Sequence, residues 1–278
     1  MNIYKVLPDL KKKRHLALWH KALRSQWSAE DVHWNLPQRI TRDSLKDQLA
    51  RVLTPILMGE QAALYSVSGL IPVLGHAGEV ESQFYLTTWA VDEARHTELF
   101  ARFYGRLDRE PLPIRRFPSG YLFQSAIVSK DPAEWLAGVL VSEVMAKLML
   151  EEFRRLDLDP VLSEICAGIL EDEARHLGFN HIYLEDRFTT LFRKGGQAAR
   201  ERSAILHQRL QTVLAAITPI LNAVHTELQA VGIDREALFG RLSQETLQRL
   251  EKSVACGEKV AAGAADAGQL AEAAALGS

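Results

Sequence analysis

The pentapeptide Asp-Glu-Ala-Arg-His stands twice in this chain, at residues 92–96 and again at 172–176. Each copy holds a glutamate and a histidine three positions apart, Glu93 with His96 and Glu173 with His176. On an α-helix, residues i and i+3 share a face. One carboxylate oxygen and one imidazole nitrogen from each copy can therefore reach the same ion. The constraint on folding is strong: both copies must sit on helices, and both helices must turn that face toward a common interior.

The rest of the chain reads as helix. Alternating β-branched runs are missing, and so are Asn-Gly and Asp-Gly hairpin turns. The pattern predicts a short helix near 11–26 and then an extended connection carrying Trp27 and Trp34. A long helix is expected over about 44–70, ended by Pro72 and Gly75, and a second over about 79–104 with the first repeat. Glu110, Pro111, Pro113, Pro118 and Gly120 predict a loop. Asp131 as N-cap and Pro132 at the first helical position open a third long helix. A turn at 157–160 leads into a fourth, over about 161–183, with the second repeat. Gly195 and Gly196 break the chain. An amphipathic helix kinked near Pro219 is expected over about 198–231, followed by shorter helices. The reading is one domain over 1–256 and a flexible Ala/Gly-rich tail over 257–278.

Two further carboxylates lie inside apolar stripes. Glu60 falls among Leu53, Ile56, Leu57, Ala63, Leu64 and Val67, and Glu143 among Leu136, Val139, Leu140, Ala146 and Leu150. Burying an unpaired carboxylate costs several kcal/mol, so Glu60, Glu93, Glu143 and Glu173 in one core require cations. Two divalent metals offset four carboxylates, and an oxygen-plus-imidazole donor set suits Fe or Mn. The predicted ligands are Glu60, Glu93, His96, Glu143, Glu173 and His176. Asp92 and Asp172 are expected to hold the far nitrogens of the histidines. On antiparallel neighbouring helices the expected pairing is crossed, Asp92 with His176 and Asp172 with His96, with Arg95 and Arg175 balancing the aspartates; imidazoles bonded to backbone carbonyls are the alternative. Glu134, Glu151 and Glu152 are read as solvated, and His181, His207 and His225 as surface or core residues.

Composition narrows the partners. A net charge of −2 excludes a strongly basic nucleic-acid binder, and the run 11–14 is read as a solvated helix start. No membrane segment is expected, since no stretch of about 18 residues is continuously apolar. Two cysteines, Cys166 and Cys256, make a disulfide framework implausible and point to a cytoplasmic location.

On these residues the chain resembles the ribonucleotide reductase small-subunit-like branch of the ferritin-like superfamily, and within it the ligand-binding oxidases. The stretches that carry the likeness are LWHKALRSQWSAEDVHWN (18–35), MGEQAALYSVSGLIP (58–72), QFYLTTWAVDEARHTELFARFY (83–104) and EDEARHLGFNH (171–181). The resemblance implies an all-α fold, a ferritin-like four-helix bundle core with additional N- and C-terminal helices, and the same six ligands. It also implies a homodimer. Four departures stand out. Phe100 occupies the place of the reductase radical tyrosine. Ala63 and Gly138 stand where ligand-binding oxidases form a Val–Tyr crosslink. Lys147 stands where multicomponent monooxygenases carry a threonine, and it either snorkels outward or contacts a substrate carboxylate. Ile169 replaces the third histidine of arylamine N-oxygenases, which counts against that reading.

The expected function is a dioxygen-dependent di-iron or Mn/Fe oxidase or oxygenase acting on a small organic substrate in the bundle core. An external electron donor is required, and no catalytic residue beyond the metal ligands is called. The alternatives are a radical-generating subunit acting on a partner protein and an iron-storage protein.

Overall fold

The computed structural model describes residues 10–276 apart from 114 and 116, with side chains described as far as residue 263. Among the described residues there are nine α-helices and no strand. They are α1 (Lys13–Arg24), α2 (Asp43–His76), α3 (Val80–Leu107), α4 (Pro118–Ile127), α5 (Pro132–Leu156), α6 (Pro160–Lys194), α7 (Gly196–Ala223), α8 (His225–Val231) and α9 (Arg235–Leu276).

The bundle core is two antiparallel hairpins, α2–α3 and α5–α6, facing each other through α2 against α5 and α3 against α6. The hairpin turns are short because local chemistry stops one helix and starts the next. Gly78 takes a positive φ of 76° between α2 and α3. Between α5 and α6, Asp157 is left-handed and Asp159, just ahead of Pro160, caps α6, its carboxylate accepting from the Val161 N–H. Asp131 caps α5 in the same way, accepting from the Ala133 and Glu134 N–H groups. The remaining helices wrap the core. α1 lies on α3 and α6, α9 runs along α6 and α5, and α4, α7 and α8 close the side formed by α2 and α5.

Several predicted boundaries move. Pro72 and Gly75 do not end α2, which continues to His76; buried Leu70 and Leu74 hold its last turns against the core. The expected loop around Pro118 holds α4, because a proline at the first helical position starts a helix. Helix α6 runs past Tyr183 to Lys194 and stops at Gly195, whose φ is 133°. The single kinked helix over 198–231 is two, α7 and α8, divided at Val224 rather than at Pro219. One long helix, α9, replaces the expected shorter ones. Its backbone is helical to Leu276; the side chains of the Ala/Gly-rich tail from 264 on, and residues 277–278, lie outside the described residues.

By length and composition α2 is apolar enough to cross a membrane. It carries buried Glu60 at its middle and packs on α3, α5 and α8, as a bundle-core helix does.

Candidate metal centre

The four core helices each bring a carboxylate to the same place: α2 brings Glu60, α3 Glu93, α5 Glu143 and α6 Glu173, while His96 and His176 follow one turn after Glu93 and Glu173. All six are at most 3% exposed. They form two overlapping sets, Glu60–Glu93–His96–Glu173 and Glu93–Glu143–Glu173–His176, each offering four donor atoms within 4.8 Å of one another. Glu93 and Glu173 belong to both sets, so the geometry gives two terminal carboxylates, two shared ones and one imidazole on each side.

Each imidazole faces the carboxylates through Nδ1. For His96, Nδ1 lies 3.2 Å from Glu60, 3.6 Å from Glu93 and 3.8 Å from Glu173. For His176 the distances are 3.0 Å to Glu143, 3.5 Å to Glu93 and 3.6 Å to Glu173. The Nε2 atoms point the other way, and there the pairing is the crossed one. His96 Nε2 is 3.1 Å from Asp172 and His176 Nε2 is 3.3 Å from Asp92. Arg95 donates to Asp92 at 2.5 Å and to Asp172 at 2.8 Å. Arg175 donates to Asp92 at 3.0 Å and also to Asp172. Two buried aspartates and two arginines thus make a neutral square behind the imidazoles.

Several residues of the centre went unpredicted. In the connection after α1, Gln26 donates to Asp92 and Trp27 Nε1 donates to Asp172, each at 3.0 Å. Trp27 also lies under the Arg95 guanidinium, 4.9 Å from its ring centre. Trp89 Nε1 donates to Glu93 Oε1 at 2.7 Å, and its ring stacks on His176 at 4.4 Å. Trp89 sits four residues before Glu93, on the same helix face, a spacing visible in the sequence. The contact of Trp27 spans about half the chain and has no such local signal.

The electrostatics call for cations. Burial pushes Glu60 up to about 7 and raises Glu143 and Glu173 well above the carboxylate range, with neighbouring carboxylates adding to the last two. Burial opposes the charged form of Asp92, yet the His176 hydrogen bond and the Arg95 charge outweigh it and hold Asp92 down near about 2. Asp172 is lowered likewise by His96 and Arg95. His176 is raised to about 9, burial being overcome by Asp92 and Glu173. Three buried carboxylate oxygens, Glu60 Oε1, Glu93 Oε2 and Glu173 Oε2, have no hydrogen-bond partner among the described residues. Unpartnered oxygens beside two imidazole nitrogens fit a pair of hard, redox-active divalent metals.

The other candidates lie elsewhere. Glu134 pairs with Arg202, and Glu151 and Glu152 pair with Arg241. Lys147 is not brought to the carboxylates. Its Nζ is held by Glu245 at 3.0 Å and Glu151 at 3.1 Å, on the α9 side, so the outward alternative is the one the structure adopts. His181 meets Glu185 and Cys256 in a third group. There Arg14 already binds both Glu185 oxygens, at 2.5 and 2.9 Å. Phe100 and Ile169 are fully buried and apolar. At Gly138 an added Cβ would lie 2.7 Å from the Ile127 carbonyl oxygen, leaving no room for a crosslinking tyrosine.

A cavity of about 110 Å³, open to solvent at its mouth, runs between α2, α4, α5, α7 and α8 and ends on Glu60, Glu143 and Glu173. Apart from these carboxylates and Ser142 its walls are apolar, with Met58, Phe117, Phe123, Met149 and Ile217 prominent.

The structure is similar to an R2-like ligand-binding oxidase with an aerobically reconstituted Mn/Fe cofactor, at 18% identity and a TM-score of 0.69, over 91% of this chain and 96% of that one. A variant of such an oxidase with an aerobically reconstituted Fe/Fe cofactor gives 18% identity and a TM-score of 0.67, over 86% and 92%. No curated protein matches the sequence. The family model described as p-aminobenzoate N-oxygenase AurF matches residues 72–255, which include both repeats and Glu143. That match stands despite Ile169, which the sequence alone counted against an arylamine N-oxygenase. The chain belongs to the AurF family of p-aminobenzoate N-oxygenase-like, dioxygen-using di-metal enzymes.

Proposed function

We propose that this protein oxidises a small, largely apolar organic molecule with dioxygen, at two metals held by Glu60, Glu93, His96, Glu143, Glu173 and His176. The observation that carries the reading is the apolar cavity that ends on Glu60, Glu143 and Glu173. When bound, iron or a Mn/Fe pair supplies the redox chemistry and the place where dioxygen reacts. The chain's own residues do the rest. Glu60 and Glu143 each close one side of the site, and Glu93 and Glu173 tie the two sides together. Asp92 and Asp172 fix the imidazoles so that Nδ1 faces inward. The apolar walls exclude bulk water and orient the substrate.

Among the described lining residues there is no Lys, Arg or His. A substrate that is neutral over most of its length suits such walls, because a buried carboxylate would lack a partner. The family description makes N-oxygenation of an aromatic amine the first reaction to assay. The protein loaded with Fe(II), given dioxygen and a one-electron donor, should oxygenate neutral aromatic amines better than their carboxylated counterparts. No product from either class, or a preference for the carboxylates, contradicts the proposal.

A homodimer, an external electron donor and a cytoplasmic setting complete the proposal; both cysteines are free, with Cys166 buried. Size-exclusion chromatography separates the dimer from the large particle that iron storage would require. Phe100 leaves no phenol at the radical position, which favours an oxidase over a radical-generating subunit.

A further inference from the structure

A file of aromatic rings leads from the carboxylate cluster to the surface, and both of its ends are polar. At the inner end Trp89 is fully buried, donates its indole N–H to Glu93 and stacks on His176. Phe179 lies 6.1 Å from Trp89 and 6.0 Å from Tyr183, and Tyr85 stacks on Phe179 at 4.4 Å. At the outer end the Tyr183 hydroxyl donates to Glu79 Oε1 at 3.2 Å and accepts from Arg187 at 2.6 Å. The Arg187 side chain is 43% exposed, and Lys12, also partly exposed, ties to the same glutamate at 3.0 Å. Ring packing alone explains the middle of this file. It does not explain an indole N–H placed on a carboxylate of the candidate metal centre, or a phenol placed on a carboxylate beside exposed cations.

We propose that Trp89 and Tyr183 form a one-electron route between the metal centre and the surface, with Trp89 as relay and Tyr183 as the residue finally oxidised. The inference rests on the di-metal reading above. When dioxygen is reduced and no organic substrate is present to supply electrons, Trp89 gives up one electron toward the site. Its N–H stays on Glu93, whose negative charge stabilises the indole cation. Tyr183 then returns one electron to Trp89 and passes its hydroxyl proton to Glu79 Oε1. The outcome is a neutral tyrosyl radical and a protonated Glu79, with Trp89 restored. Tyr183 itself is buried, and a soluble one-electron reductant docking at the partly exposed Arg187 and Lys12 resets it through that edge. The other rings serve as spacers. Phe179 has no ionisable proton, and the buried Tyr85 hydroxyl has no partner among the described residues to take one. Tyr104 donates to the Ala50 carbonyl oxygen, which is a poor proton acceptor.

The test mixes anaerobic, Fe(II)-loaded protein with dioxygen in the absence of organic substrate. Samples frozen at intervals are read by electron paramagnetic resonance, with iron content measured on the same protein. Wild type should show a tyrosyl radical. Tyr183→Phe, which removes only the hydroxyl held by Glu79 and Arg187, should lose it, and Trp89→Phe should delay and diminish it. Both variants should retain their iron. Ring-deuterated tyrosine should narrow the wild-type signal. A signal unchanged in Tyr183→Phe overturns the proposal. So does iron-loaded wild type that consumes dioxygen without forming a tyrosyl radical. Protein that binds no iron overturns this route and the di-metal reading together, so the two failures are distinguishable.

Discussion

Glu93 and Glu173 belong to both ligand sets, and that sharing sets what each substitution does. Glu93→Ala should weaken both metal positions, whereas His176→Ala should weaken one and leave the other occupied. His181→Ala should change neither, because His181 stands outside both sets. Metal analysis of the purified variants checks all three, and full loading of Glu93→Ala would contradict the ligand assignment. Asp92→Asn and Asp172→Asn keep the shape but weaken the grip on each imidazole, and should cost roughly 10- to 100-fold in metal affinity. The metal-free protein should also show a characteristic pH dependence. Glu60, raised by burial to about 7, and His176, raised against burial to about 9, hold more protons folded than unfolded. Their contributions are present at low pH and are lost as pH rises through those values. Stability should therefore fall from about pH 5 to about pH 9. Bound metal replaces the protons and flattens the slope. Thermal unfolding with and without metal across that range measures the effect, and a metal-free protein that gains stability toward pH 9 would refute it.

The helices that hold the centre were the most legible part of the sequence, because their ends carry local chemistry. Asp131 with Pro132 and Asp159 with Pro160 mark the starts of α5 and α6, and the repeat marks which faces point inward. Asp131→Ala should cost about 1 kcal/mol by chemical denaturation, the usual worth of a lost N-cap. What could not be read was set by packing between distant segments. Pro72 looks like a stop, yet the core contacts of Leu70 and Leu74 carry α2 past it. Pro118 looks like a loop residue and begins α4. The closeness of α4 to α5 is invisible in sequence but has a sharp consequence at Gly138, where an added Cβ would meet the Ile127 carbonyl oxygen at 2.7 Å and Cα at 2.9 Å. Backbone cannot yield as a flexible side chain does, so Gly138→Ala should destabilise by about 1–3 kcal/mol. An unchanged unfolding midpoint would show that the helices can separate at no cost.

At the scale of the whole molecule, the additional helices give a four-helix bundle an apolar chamber that opens to solvent beside the candidate metal centre. Helices α4, α7 and α8 supply the outer walls of the cavity, and none of them carries a candidate ligand. The six side chains that cluster at the candidate centre, and the crossed pairing of aspartates with imidazoles behind them, were legible in the sequence. The chamber was not, since it is made by helices that share no motif with the centre. Filling it should separate binding from metal chemistry. Ala63→Phe, placed on the cavity wall one turn from Glu60, should keep metal loading and dioxygen consumption while abolishing oxidation of added substrate. The paired metal site is tested by metal content measured together with the optical response to dioxygen. Protein expressed with iron and manganese available should hold about two metals per chain, the number a carboxylate–histidine bundle site accommodates, and its reduced form should develop a new absorption band when dioxygen is added. Protein that binds almost no metal under every loading condition, with no spectral change on exposure to dioxygen, would contradict it.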